Sequence, residues 1–242
     1  MRVSVIVPVY NEAENVLPLV EELAALRGAL PELEVIMVDD GSQDGTWAQV
    51  EAAVARWPEW ARGLRHARNR GQSAAMLTGL AQATGELLVT LDGDLQNNPS
   101  DIPVLVSLIG PDCDVVCGYR ANRRDSWSRR LASRLANAVR NRVTRDGVRD
   151  TGCSLKAFRA ACRADLPPLD GVHRFMPAYF ALNGRRIREI AVDHRARRRG
   201  LSKYTNWKRL PKTVFDLVGF IWYRQRYLLK AAPPMKNTAH RG

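Results

Sequence analysis

The sequence lacks the features that mark a membrane-spanning, secreted or zinc-binding chain. A membrane span needs about 18–20 uninterrupted apolar residues, whereas the best candidate, residues 213–223, is shorter and carries Asp216. The N-terminal run turns polar at Asn11 and has no small-residue cleavage site, so it is read as a strand rather than a secretory signal. The four cysteines form no C-x-x-C pair, which predicts buried free thiols in a reducing cytosol.

Acidic residues are scarce in the second half of the chain. Residues 1–118 hold 7 Lys and Arg against 17 Asp and Glu, whereas residues 119–242 hold 30 against 8. The formal net charge is +12. This asymmetry predicts that the second half faces an anionic partner, which could be nucleic acid, an anionic membrane surface or a phosphorylated substrate.

The first half alternates apolar runs with segments of helical periodicity. The runs VSVIVPVY, LEVIMV, ELLVT and CDVVCGY read as strands, and amphipathic helical segments lie between them. Such alternation predicts an α/β fold with a doubly wound, mostly parallel sheet, whose ligands bind beyond the carboxyl ends of the strands. The polar loops of this half lie at those ends: YNEAEN, DDGSQDG, RNRG and DGDLQNNP.

Basic amphipathic helices are predicted in the C-terminal part, at residues 126–143 and 207–229. Both combine Lys and Arg with Trp, Leu and other apolar residues, a composition typical of helices at a membrane interface. We expect one domain over 1–205, divided into the acidic half (1–118) and a basic part (119–205). A membrane-surface helix (206–230) and a flexible tail (231–242) would follow it.

Two carboxylates, Asp92 and Asp94, directly follow the strand ELLVT, with Gln96 two positions further on. Neighbouring carboxylates repel each other unless they are solvated or share a cation. Their hard oxygen atoms suit Mg²⁺ or Mn²⁺, and Mg²⁺ typically combines one or two carboxylates with substrate phosphates. A polar turn is the alternative explanation for the same residues.

Several loops together resemble the family 2 glycosyltransferases of the GT-A fold, a Rossmann-like α/β architecture. PVYNE, VDDGSQDGT and LDGDLQ match that family in order, spacing and flanking strands, and RNRGQSAAMLTGL resembles its N-x-G stretch. The resemblance covers most of the chain and implies a nucleotide-sugar donor, with a nucleotide-sugar half at 1–118 and an acceptor half at 119–205. The implied donor-binding residues are Pro8, Tyr10, Glu12, one or both of Asp39 and Asp40, Asn69, Asp92, Gly93 and Asp94.

The second half resembles the polyprenyl-phosphate branch of that family, to which dolichol-phosphate mannose synthases belong. The matching segments are LDGDLQNNP, GYR, SRRLAS, RDTGCSLKAFR and RRRGLSKY, in that order. The resemblance implies that Asp92, Asp94 and Gln96 hold Mg²⁺ or Mn²⁺, and that Asp94, Arg120 and Arg129 have catalytic roles. The implied ligands of the acceptor and diphosphate groups are Arg120, Arg129, Ser133, Arg197, Arg199, Ser202 and Lys203.

This resemblance predicts a metal-dependent inverting glycosyltransferase that moves a sugar from UDP or GDP to undecaprenyl or dolichyl phosphate. A phosphate monoester with a second pKa of about 6 is largely dianionic at neutral pH, so the acceptor needs no catalytic base. Relatives that glycosylate hydroxyl groups carry a catalytic Asp, whereas the corresponding GVHRFMPAY has only Asp170 nearby. Asp150, expected to hold an arginine, and His173, expected to be structural, are the other candidates for a base.

Two alternative functions follow from the same residues. The nearer is a soluble GT-A enzyme that acts on a saccharide or protein hydroxyl and would tolerate replacement of Arg129 by Ala. The more distant is a basic nucleic-acid-binding protein, which would leave the acidic loops unused and has no RNA-binding aromatic motif. We expect no nucleic-acid partner. The expected location is cytoplasmic, peripheral on the inner face of the cytoplasmic membrane, with a possible separate membrane-anchor or flippase protein.

Overall fold

The structure is a computed structural model that describes residues 1–121, 140–195 and 206–227. These residues contain seven strands: β1 Val3–Val9, β2 Leu33–Asp39, β3 Ala61–Arg65, β4 Leu87–Thr90, β5 Val115–Arg120, β6 Lys156–Arg159 and β7 Ile187–Val192. The main helices are α1 Ala13–Ala24, α2 Thr46–Arg56, α3 Gln72–Gln82, α4 Ile102–Ser107, α5 Val172–Leu182 and α6 Asn206–Arg226. Residues 140–144 are also helical.

All seven strands lie in one sheet, in the order β3-β2-β1-β4-β6-β5-β7. The pairs β1–β2, β1–β4, β2–β3 and β5–β7 are parallel, whereas β6 is antiparallel to both of its neighbours. The predicted mostly parallel α/β sheet is therefore confirmed. Because β1, β2 and β4 are parallel neighbours, their carboxyl ends lie side by side at one edge, as a doubly wound sheet requires.

Each face of the sheet is covered by helices. On one face, Val5 and Val7 of β1 belong to a buried cluster that includes residues of α1, α2 and α4. On the other face, Ile6 joins a cluster with residues of α3 and α5. The alternation of side chains along a strand explains this division. Helix α3 lies close to the sheet at Gly79, where an added Cβ would be 2.6 Å from a methyl carbon of Ile6.

Helix α6 packs against α5. Phe220 of α6 is buried, with its ring centroid 5.9 Å from that of Phe175 and 5.3 Å from that of Tyr179. The predicted helix at 207–229 is thus largely present, at Asn206–Arg226. Of the predicted helix at 126–143, only residues 140–143 lie in the described part, and these are helical.

The segment after β6 forms a 3-10 helix at Ala160–Asp165. All four cysteines are buried free thiols, as predicted. Among the described residues, no helix has the length and apolar character needed to span a bilayer.

Candidate active site

The predicted donor-binding residues lie at the ends of β1 and β2 and in the loops that follow β1, β2, β3 and β4. In the first loop, Asn11 adopts a φ of 48°, which Asn tolerates better than most residues. Its backbone N–H donates to Ser42 Oγ (2.8 Å), and its side-chain Oδ1 accepts from Gln43 N (2.9 Å). Glu12 N donates to Thr46 Oγ1 (2.8 Å). These bonds join the loop after β1 to the loop after β2.

Asp39 and Asp40, at the end of β2, have different environments. Asp40 is buried; its Oδ1 lies 2.7 Å from His66 Nδ1 and accepts from Arg70 N, while its Oδ2 accepts from Gly71 N (2.7 Å). It therefore fixes the loop that leads into α3. Asp39 is fully buried and accepts from Ser42 N at Oδ1. Its Oδ2 has no hydrogen-bond partner, although Arg65 Nε lies 3.3 Å away.

A cavity of about 590 Å³ opens beside these two aspartates. Tyr10 and Asn69, both predicted donor-binding residues, line it together with Arg65 and His66. Arg65 lies 5.4 Å from the ring centroid of Trp47, in a cation–π arrangement. The cavity thus combines an aromatic face, an amide and a guanidinium, groups that can stack on a base or bond to ribose and phosphate oxygens.

The loop after β4 carries the paired carboxylates. Gln72 Nε2 donates to Asp92 Oδ1 (2.7 Å), and Asp92 N donates to Ser154 Oγ (3.2 Å). Asp94 Oδ1 accepts from Gln96 N (3.1 Å). Gly93 approaches β1 closely, because an added Cβ would lie 2.6 Å from Val9 Cγ1. These contacts fix the backbone on both sides of the two carboxylates.

Burial, followed by repulsion from the Asp94 carboxylate, raises the pKa of Asp92 to about 6. The protein alone therefore disfavours the ionised form of Asp92, which a bound cation would favour. The described residues include no cluster of three or more Asp, Glu, His or Cys side chains that could bind a metal ion by themselves. Two carboxylates with a nearby amide fit a cation that completes its coordination with water and substrate phosphates, as Mg²⁺ does.

A second cavity, of about 440 Å³, extends from Asp92 to the start of α5. The predicted residues on its wall are Pro8 and Asp92. Sequence reasoning did not identify its other polar wall residues as donor-binding: Gln72, Thr90, Thr151, Ser154, Lys156, Asp170, His173 and Arg174.

Two of these wall residues are fixed by contacts that no sequence motif reveals. Ser73 Oγ accepts from Gly171 N (2.9 Å) and lies 2.7 Å from His173 Nδ1, joining the starts of α3 and α5. Lys156 is fully buried, and its ammonium donates to the Cys153 carbonyl. A fully buried lysine is rare in proteins unless it is paired, and the sequence KAFR of β6 gives no sign that its Lys would be buried.

Arg120, at the end of β5, is held by a bidentate ion pair. Its Nε donates to Asp150 Oδ2 (2.7 Å) and its Nη2 to Asp150 Oδ1 (2.8 Å). Asp150 thus holds an arginine, as expected from the sequence. The other predicted ligands of the acceptor and diphosphate groups lie outside the described residues: Arg129, Ser133, Arg197, Arg199, Ser202 and Lys203.

Comparison with known proteins places this geometry in a family. Residues 4–164 match the sequence profile of "Glycosyl transferase family 2". The dodecaprenyl-phosphate galacturonate synthase of Rhizobium johnstonii is 40% identical over 238 residues, which cover 96% of this chain and 69% of that protein. The undecaprenyl-phosphate 4-deoxy-4-formamido-L-arabinose transferase of Serratia proteamaculans is 38% identical over 218 residues, covering 90% and 67%. The chain therefore spans about two thirds of the length of these relatives.

Solved structures agree on the fold. Glucosyl-3-phosphoglycerate synthase from Mycobacterium tuberculosis, in a complex with Mn²⁺, UDP and glucosyl-3-phosphoglycerate, superposes with a TM-score of 0.69 at 20% identity. The match covers 92% of this chain and 79% of that one. Another structure of that enzyme contains Mg²⁺ and UDP. From the profile match and the two sequence relatives together, this chain belongs to glycosyl transferase family 2 and is a glycosyltransferase.

Proposed function

We propose that the chain transfers a sugar from a nucleoside-diphosphate sugar to a polyprenyl phosphate, with inversion and with a divalent cation. The observation that carries the proposal is the Asp92–Asp94 pair at the carboxyl end of β4, beside the 440 Å³ cavity. The two sequence relatives are named for dodecaprenyl and undecaprenyl phosphate, which supports the same acceptor class here.

The donor is assigned to the carboxyl ends of β1 to β4 and the loops that follow them. Tyr10 and Asn69 line the 590 Å³ cavity and are suited to the nucleoside, because they offer a ring face and an amide. Asp39, whose Oδ2 has no hydrogen-bond partner and lies 3.3 Å from Arg65 Nε, is the proposed hydrogen-bond acceptor beside them. Asp40 acts indirectly, since its carboxylate already holds the loop before α3. The radiolabelled-donor experiment described below identifies both the nucleotide, UDP or GDP, and the sugar.

Asp92, Asp94 and Gln96 would hold the Mg²⁺ or Mn²⁺ ion. When bound, the cation supplies positive charge that stabilises the departing diphosphate. Gln72 orients Asp92 through its 2.7 Å hydrogen bond, and Gln96 N orients Asp94. The protein therefore presents both carboxylates in fixed positions before substrate arrives.

The acceptor phosphate is assigned to Arg120, together with the predicted residues Arg129 and Ser133. The bidentate pair with Asp150 restricts the Arg120 guanidinium, and planar guanidinium groups recognise phosphate oxygens well. A phosphate oxygen attacks the anomeric carbon, the new C–O bond forms as the bond to the diphosphate breaks, and the configuration inverts. No base is needed, because the attacking phosphate is already ionised.

The acceptor is a membrane lipid, so we propose peripheral attachment at the inner face of the cytoplasmic membrane. Helix α6 exposes a row of apolar side chains, Val214, Phe215, Val218 and Trp222. Arg224 and Arg226 lie in its last turn. An apolar row beside basic residues is typical of helices that bind anionic membrane interfaces. A separate membrane-anchor or flippase protein is compatible with this arrangement.

The test is to incubate the protein with Mn²⁺, a panel of radiolabelled UDP- and GDP-sugars and short-chain polyprenyl phosphate, then to extract with organic solvent. Label in the organic phase from one donor supports the proposal and identifies that donor. Asp94→Asn should lose nearly all transfer, whereas Arg56→Ala, on the far end of α2, should retain it. Transfer to a free saccharide or protein hydroxyl instead of the lipid would contradict the proposal.

A further inference from the structure

The loop that carries the predicted metal ligands has a strained backbone. Leu95, between Asp94 and Gln96, has a φ of 60°, a conformation that is unfavourable for residues with a Cβ. Its side chain is nevertheless buried in the core. Such a residue persists only where its surroundings determine the backbone, so contacts outside the loop must hold it in place.

The segment that follows β7 supplies those contacts. Asn97 forms an antiparallel bridge with His194, and Arg195 N donates to Gln96 O at 2.8 Å. The Arg195 side chain continues the contact, because its Nη2 donates to Asn98 Oδ1 at 2.7 Å. Backbone and side chain of one short segment therefore bind three successive residues of the loop.

The same guanidinium is anchored on α1. Its Nη1 donates to both carboxylate oxygens of Glu22, at 2.7 and 2.8 Å. Glu22 lies on the helix whose apolar residues pack against β1 and β2, so its position is set by the core. Charge-assisted contacts of this kind are stronger than neutral hydrogen bonds. Arg195 thus connects the loop after Asp94 to a helix that the core holds in place.

We infer that Arg195 is a positioning residue, which fixes the 94–98 loop in the conformation that binds the divalent cation. The inference rests on the proposed function for the metal site itself. Arg195 approaches Gln96 only through its backbone N–H, so replacing its side chain leaves that bond and removes the contacts with Asn98 and Glu22.

The test is to titrate the wild-type protein and four variants with Mn²⁺. Electron paramagnetic resonance measures the free ion at each point. Arg195→Ala should weaken Mn²⁺ binding by about tenfold, the lower end of what loss of an outer-shell partner costs. Glu22→Gln should weaken it in the same direction. Arg195→Lys should be intermediate, because an ammonium can pair with Glu22 without also reaching Asn98.

The matched control is Arg56→Ala. It removes the ion pair with Glu21, the neighbour of Glu22 on α1, in which both side chains are more than half exposed. Its Mn²⁺ affinity should equal that of the wild-type protein. A loss of affinity in Arg56→Ala as large as that in Arg195→Ala would overturn the inference, because it would show a general effect of disturbing α1.

Hydrogen exchange of the metal-free proteins separates the inference from the proposed function. Residues 94–98 should exchange faster in Arg195→Ala than in the wild-type protein. Unchanged exchange together with unchanged Mn²⁺ affinity overturns the inference. Wild-type protein that binds no Mn²⁺ overturns the proposed metal site, while the exchange data still decide whether Arg195 holds the loop. If Arg195→Ala does not fold, Glu22→Gln gives the same two readouts.

Discussion

Replacing Asp92 by Asn should stabilise the metal-free protein while abolishing transfer. The pKa of Asp92 is raised to about 6 by burial and by the Asp94 carboxylate, against about 3.9 for an unperturbed Asp. Each pKa unit corresponds to about 1.4 kcal/mol, so the ionised Asp92 destabilises the folded state by up to about 3 kcal/mol at pH 7.5. Asparagine removes that charge and can still accept from Gln72.

The pH dependence has a defined sign. A carboxyl group with a raised folded-state pKa binds more protons in the folded than in the unfolded protein between about pH 4 and pH 6, so its contribution to stability is lost as the pH rises through that range. The advantage of Asp92→Asn should therefore be full at pH 7.5 and fall to about 1 kcal/mol near pH 4.5. Urea denaturation in the presence of EDTA at both pH values measures it.

The control for this prediction is Asp112→Asn. The Asp112 side chain is 97% exposed and lies 3.6 Å from Arg186, so its removal should change the free energy of unfolding by less than about 1 kcal/mol. Adding Mn²⁺ should stabilise the wild-type protein and leave Asp92→Asn unchanged. A variant that is less stable than the wild-type protein at pH 7.5 without metal would refute the electrostatic reasoning.

Three further predictions concern other parts of the molecule. Arg120→Ala should raise the KM for polyprenyl phosphate by about tenfold or more, since a charge-assisted phosphate contact is worth roughly 1.5–3 kcal/mol. Asp150→Asn should raise that KM by less, and steady-state kinetics with varied acceptor concentration measures both. Phe215→Glu should reduce the fraction of protein that sediments with anionic lipid vesicles, without lowering Tm. Phe220→Ala should lower the free energy of unfolding by about 3–5 kcal/mol, because Phe220 is buried. Equal effects of the two changes on Tm would contradict the assignment of Phe215 to the exposed face of α6. Gly79→Ala should destabilise by roughly 1–3 kcal/mol through overpacking against β1, and thermal denaturation that shows no loss would contradict the close approach of α3.

Four strands of the mostly parallel sheet and the position of the polar loops could be predicted from the sequence, because both follow from local pattern. Apolar runs mark β1, β2, β4 and β5, and in parallel strands the loops at their carboxyl ends must meet at one edge. The antiparallel insertion of β6 between β4 and β5 could not be predicted, because a four-residue strand (Lys156–Arg159) carries no signal for its partner or direction.

The missed site residues depend on contacts between distant segments. Ser73 and His173 are 100 positions apart and meet only because α3 and α5 begin at the same cavity. Glu22 and Arg195 are likewise joined only by the fold. Asp40 differs, because its motif could be seen in the sequence. Its role in holding the loop before α3 could not, because that role depends on where the folded chain places the backbone N–H groups of Arg70 and Gly71.

The most direct test of the central claim is a crystal soaked with Mn²⁺ and a nucleoside diphosphate, measured at a wavelength where manganese scatters anomalously. We expect one strong anomalous peak within bonding distance of the Asp92 and Asp94 carboxylates and of the diphosphate oxygens. An anomalous map with no peak there, or with the ion and nucleotide bound elsewhere on the protein, would contradict it.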